Sequence, residues 1–264
     1  MDGFNIWTLQ PNEIRQAYPG RVTFSPIAKK NKAFHIGMSG WHLFEPPQNE
    51  TPGTAQTVQL RDRPGFRVDG DRLIDTGAVG GNVDEGQMFG VELAGKVGPT
   101  WVMAEYAAVE YELNGANGAA FAGNPRFHGY YISGGYFLTG ENRKYVARDG
   151  KWHGVKVKTP FTAKGDTGAW ELLGRHSMMD LNAPASNIEG GKQQNYTLGL
   201  RWWVNNWVNF SLNYIHAAVD KQTATNSGIQ GGQSFDIFAF RSAVKWWILR
   251  NGFSLSWNQT ELLI

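Results

Sequence analysis

The chain has 264 residues, of which 41% are hydrophobic and only 18% charged, and its formal net charge is +2. That balance excludes a nucleic-acid surface built on bulk charge, and the absence of cysteine excludes disulfides and thiolate metal sites. No run of about 18 apolar residues occurs, so a transmembrane helix is excluded too.

Abundant glycine (33) and tryptophan (11) point to many strands and turns. The mean hydropathy of −0.40 fits a soluble protein and equally a barrel with a polar interior. Met1-Asp2-Gly3 has neither the basic start nor the apolar core of a signal peptide, and residues 1–18 are set apart as the remnant of a preceding strand or turn. Residues 20–27 (GRVTFSPI) and 33–43 (AFHIGMSGWHL) read as strands around a charged loop. After a Pro-rich connection, residues 58–69 (VQLRDRPGFRVD) read as a third strand, with Pro64 marking a bulge or an edge. A Gly- and Asp-rich loop follows to residue 85.

Residues 87–97 alternate clearly, with Phe89, Val91, Leu93 and Val97 opposite Met88, Glu92, Ala94 and Lys96. Gly98-Pro99 turns the chain, and residues 100–113 return with Glu105 on the polar side. Residues 126–139 form a further strand. Residues 140–167 are long, basic and irregular. Residues 168–181 (GAWELLGRHSMMDL) read either as a short helix or as a strand; the strand, with Trp170 and Leu172 opposite Glu171, Arg175 and Ser177, is preferred.

Residues 193–220 hold the sharpest pattern. Tyr196, Leu198, Leu200, Trp202 and Val204 share one face, and Asn195, Thr197, Gly199 and Arg201 the other. Val208, Phe210, Leu212 and Tyr214 then alternate with Asn209, Ser211 and Asn213. Period two is the signature of a strand. Asn205-Asn206 forms the turn, where Asn tolerates the left-handed backbone of a tight hairpin. Each arm has about ten residues, near the ~9–11 needed to cross a bilayer at a tilt. Residues 235–246 close the set, with Phe238, Phe240, Val244 and Trp246 opposite Ala239, Arg241, Ala243 and Lys245. The pattern alone fits an outer-membrane barrel or a soluble β fold. Six His residues occur, but HExxH, GxSxG and Walker A motifs do not, so the chain is read as no enzyme, with no cofactor and no metal site.

RVTFSPI (21–27), FHIGMS (34–39), RLIDTG (72–77), GPTWVMAEY (98–106), GGYFLTGENRKY (134–145), GAWELLGRHSMMDL (168–181) and NYTLGLRWWVNNWVNFSLNYIH (195–216) follow one another along the chain. In that order they resemble the C-terminal part of the phosphate-selective porin O and P family. The resemblance implies a bacterial outer-membrane protein: a transmembrane antiparallel β-barrel, all-β, sixteen-stranded and trimeric in the family. Residues 19–246 would be about ten strands of it, an incomplete barrel, with residues 247–264 a tail of unassigned role. It implies passive diffusion of phosphate or related anions such as pyrophosphate and polyphosphate, with outer-membrane lipid and two further copies as partners and no nucleic acid.

Since the family's chain ends in the periplasm, strand parity places residues 140–167 on the periplasmic side. There the family has a long turn that folds into the lumen, and by position Lys151, Lys156 and Lys158 would present themselves to the anion. Arg61, Arg63, Arg67 and Arg72 border a loop that the resemblance also folds inward; the alternative is register-fixing pairing with Asp62, Asp69 and Asp71. Lys96, Glu105, Glu171, Arg175, Arg201, Arg241 and Lys245 would line the pore from the wall. Two other readings stay open: a porin of another selectivity, sugar or general, and a soluble β-sandwich with Trp platforms for carbohydrate.

Overall fold

The computed structural model describes residues 16–45, 57–65, 72–79, 83–113, 123–162, 164–221, 223–225, 228–230, 232–250, 253–257 and 262–263. Among them run nine long strands: β1 (Gln16–Ala28), β2 (Lys32–Glu45), β3 (Val83–Val97), β4 (Thr100–Leu113), β5 (Arg126–Phe137), β6 (Ala169–Ala183), β7 (Ile188–Trp203), β8 (Val208–Asp220) and β9 (Gln233–Val244). Each pairs antiparallel with the next in one sheet, with β1 at one end of the order. At the other end Leu262–Leu263 pairs with Arg241 and Ser242 of β9. Trp246–Arg250 and Phe253–Trp257 form a separate hairpin.

The two faces of the sheet invert the distribution of a soluble sandwich. On β7, Leu198 is 66% exposed while Asn195 is only 7% exposed; on β9, Phe238 is 75% exposed. Phe24, Ile36, Leu93, Ile132, Leu172, Leu200, Leu212 and Phe240 lie on the same exposed apolar face. Gln193, Asn209 and Ser211, on the opposite face, are buried. An apolar outside and a polar inside with period two is the pattern of a wall in lipid. The stretch 168–181, readable as helix or strand, is a strand, because Leu172 and Glu171 need opposite surroundings: exposed outside and fully buried inside.

Two expectations are corrected. Residues 58–69 are not a strand of the wall, since β2 pairs directly with β3 from Lys32↔Val97 to Leu43↔Gly86. Within the described part of that stretch, only Arg61–Asp62 is paired, with Ile74–Asp75, and Val58 bridges to Val79. Val58 and Leu60 alternate with polar neighbours because they pack on the inner face of the wall, beside Ile74, Val79, Val83, Tyr111, Phe127 and Leu181. The turn at Asn205-Asn206 is also not left-handed: among the described non-glycine residues only Asn187 has positive φ. Residues 204–207 form a wider loop, in which Oδ1 of Asn205 accepts the N–H groups of Trp207 and Val208. The side chain replaces the tight turn's backbone geometry.

With residues 46–82 forming one connection, the rims follow from alternation. The turns at 29–31, 98–99 and 204–207 share one rim with residues 138–168. Gly98 supplies positive φ in its turn, and its N–H donates to Asn31 O at 2.8 Å. From each rim one segment folds back over the inner face. Residues 57–65 and 72–79 pack from the long-loop rim. Residues 155–157 pack from the other, where Val155 and Val157 are buried with Trp101, Phe137, Ala169 and Trp203.

Candidate functional site

The segment from 138 to 168 spans the sheet from β1 to the β7–β8 turn. At the β1 side, Arg143–Val146 pairs with Lys151–Val155 in a small hairpin. Its tip is a single 3-10 turn, Ala147–Asp149, closed by Gly150 at φ 56°. The tip rests on β1, where Arg21 donates to Gly150 O at 3.2 Å. Tyr145 shares hydrogen bonds of 2.6 Å with Ser25 Oγ and with His35 Nδ1. Glu92 accepts from Arg21 Nε at 2.9 Å and lies 3.1 Å from His35 Nε2. At the far side, Val157 N–H donates to Asn206 Oδ1 at 2.9 Å and Phe161 N–H to Val204 O at 2.8 Å.

This course decides where the basic side chains go. Extended backbone sends successive side chains to opposite sides. With Val155 and Val157 turned onto the wall, Lys156 and Lys158 project away from it and are exposed, as is Lys151 at the hairpin. Among the described residues none of the three lysines is ion-paired. The acids of the segment have other partners: Glu141 accepts from Thr139 Oγ1 and Lys158 N–H, Asp149 pairs with Arg148 and His153, and Asp166 with Thr162. Lys158 Nζ also donates to Gly140 O at 2.6 Å.

The charged wall residues divide into struts and exposed groups. Lys96 is buried and donates to Lys30 O and Asn142 Oδ1, fixing the start of the segment to the β1–β2 turn. Glu171 is fully buried and accepts from the indoles of Trp101 and Trp203, with Arg201 Nη1 at 3.8 Å. Arg143 lies 4.0 Å above the Trp101 ring and Lys245 5.9 Å from the Trp203 ring. Burial pushes the Arg143 guanidinium below its ordinary range, and the Glu171 carboxylate works against that. Arg201 also donates to Ser211 Oγ. Glu105 faces Tyr131 across the β4–β5 pair, and Arg175, exposed on the inner face, sits 4.0 Å over the Tyr131 ring. Arg241, half-buried, occupies the β9 position opposite Ser211.

Arg61, Arg63 and Arg72 are half-buried in the other inward segment; Arg67, with Asp69 and Asp71, lies outside the described residues. That segment is tied to the wall by Gln193 Nε2 donating to Arg63 O and by Lys221 Nζ donating to Asp75 O. The sequence reading missed Tyr145 and His35 altogether. The alternation of Val155-Lys156-Val157-Lys158 was the one signal for the lysines' direction. Nothing local marks a contact between residues 110 positions apart.

An antiparallel sheet with an apolar outer face, and a polar inner face crossed by inward-folded segments, defines a membrane β-barrel of the porin class. The model of the phosphate-selective porin O and P family matches residues 6–246, and the chain belongs to that family, whose members are outer-membrane proteins. It is 27% identical over 236 residues to Porin O of Pseudomonas aeruginosa, a match covering 81% of this chain and 50% of that protein. It is 30% identical over 207 residues to an uncharacterized protein of Caulobacter vibrioides, covering 78% of this chain and 38% of the relative. The chain thus spans half or less of the length of these curated relatives.

Proposed function

We propose that this chain lines a passive channel for phosphate and related anions, with no catalytic step and no cofactor. The observation that carries the reading is the placement of Lys151, Lys156 and Lys158 on the inward segment, exposed and without ion pairs among the described residues. An anion entering a narrow pore sheds part of its hydration, and ammonium groups replace it while repelling cations. Several weak cationic sites in series allow both entry and exit. Arg175 on the wall and Arg61, Arg63 and Arg72 on the opposite inward segment extend the positive path towards the other rim. The channel works in outer-membrane lipid, as a homotrimer. The name of the matching family, the phosphate-selective porins O and P, supports phosphate as the transported anion.

The test is the reversal potential of the protein, purified from outer membranes, in planar bilayers under a KCl gradient. The reading expects a potential near the chloride equilibrium value, and added phosphate should reduce the chloride current. A potential near the potassium value would refute anion selectivity and favour a porin of another class.

A further inference from the structure

We infer that Tyr145 is a positioning residue that fixes the inward segment, and therefore its lysines, at the height needed to bind an oxyanion; the inference rests on the anion-channel reading above. Four observations carry it. The small hairpin crosses the inner face with its tip on β1, far from the point where residues 138–139 leave the wall. Tyr145 joins this hairpin to two strands at once, through Ser25 of β1 and His35 of β2. The phenol ring is already held from two sides, edge-on to His35 at 5.7 Å and to Trp152 at 5.3 Å. Lys151 follows the tip directly and pairs with Val146, next to Tyr145.

The hydrogen bonds form one consistent chain. His35 is buried, and Glu92 beside it, already bound by Arg21, needs a donor. With Nε2–H given to Glu92, His35 Nδ1 accepts the Tyr145 hydroxyl proton, and the Tyr145 oxygen accepts from Ser25. Every group in this chain is satisfied only while the hairpin lies against β1 and β2. A buried His35 Nδ1 without Tyr145 would be an orphan acceptor, so the wall holds the hairpin as much as the hairpin covers the wall.

Removing the single hydroxyl by Tyr145→Phe keeps the ring packing and breaks both bonds. A loosened tip lets Lys151 and the following lysines fluctuate, which weakens anion binding more than it alters the width of the pore. The experiment measures block of chloride current by inorganic phosphate in planar bilayers, for wild type, Tyr145→Phe, Ser25→Ala and the triple Lys151→Gln/Lys156→Gln/Lys158→Gln variant. Heat-modifiable mobility on gels reports assembly of each. The inference expects Tyr145→Phe to weaken phosphate block by up to about thirtyfold, the scale of the two net hydrogen bonds it breaks, with chloride conductance close to wild type. Ser25→Ala, which removes one of the two bonds, should fall between. If the triple variant loses block while both Tyr145→Phe and Ser25→Ala keep it at wild-type strength, the channel reading stands and the role of Tyr145 is overturned. If wild type itself shows no block, the functional reading falls and this inference with it. Should Tyr145→Phe not assemble, Ser25→Ala alone decides: unchanged block overturns the inference and weakened block supports it.

Discussion

The indole N–H of Trp101 donates to Glu171 Oε1 at 2.8 Å, and Trp203 satisfies the second oxygen of the same carboxylate at 3.0 Å. One fully buried acid on β6 thus joins β4 and β7 beneath the inward segment. Truncating it leaves two buried donors without a partner and removes the negative charge that acts on Arg201 and Arg143. Glu171→Ala should therefore lower stability by about 2 kcal/mol or more, read as a shift in the urea midpoint of the refolded protein. Glu171→Gln, which keeps one strong acceptor, should lose less. An Ala variant as stable as wild type would remove this carboxylate from the account.

The exposed row on β7 and β8 sets the membrane face. Leu200→Arg places a cation among Leu198, Leu212 and Phe240 on the outer face and should cost about 2–4 kcal/mol near the bilayer midplane. Thr197→Arg points inward, beside Arg175 and Ile215 across the strands, and should be tolerated. The measurement is the yield of heat-modifiable protein folded into lipid vesicles. Equal yields for the two variants would reverse or abolish the assignment of faces.

Residues 57–65 and 72–79 are held on the inner face by the apolar packing of Val58, Leu60, Ile74 and Val79. Ile74 and Val79 are fully buried in it. Ile74→Asp buries an unpaired carboxylate unless the loop lifts, and lifting is the cheaper outcome. Single-channel conductance should then rise while the assembled fraction stays near wild type. Unchanged conductance in an assembled variant would mean that this loop does not narrow the pore.

The faces of β3, β6, β7, β8 and β9 were legible in the sequence because a strand in lipid writes its environment into every second residue. Leu198 against Asn195, and Leu172 against Glu171, are enough to orient their strands. Residues 58–69 misled for the same reason. Val58 and Leu60 also alternate, but what buries them is the inner face rather than lipid, and period two does not say which surface provides the burial. The Asn205-Asn206 turn was placed correctly and given the wrong backbone, because Asn serves a turn either by its φ or by its side-chain oxygen. At the site, the lysines were legible as a charge cluster in a long turn. The groups that hold the turn inward, Tyr145, His35 and Asn206, were not, since each acts through a partner distant in the chain and carries no local pattern.

The central claim is that the lysines on the inward segment confer phosphate preference. Each contributes attraction that salt screens over about 8 Å at physiological ionic strength in open solution, and a confined pore screens it less. The most direct measurement is phosphate block of chloride current in planar bilayers, comparing wild type with the triple Lys151→Gln/Lys156→Gln/Lys158→Gln variant. The account predicts that the triple variant loses the preference for phosphate over chloride and that single variants weaken it modestly. Block of unchanged strength in the triple variant would contradict the account and reduce this turn to a solvated basic loop.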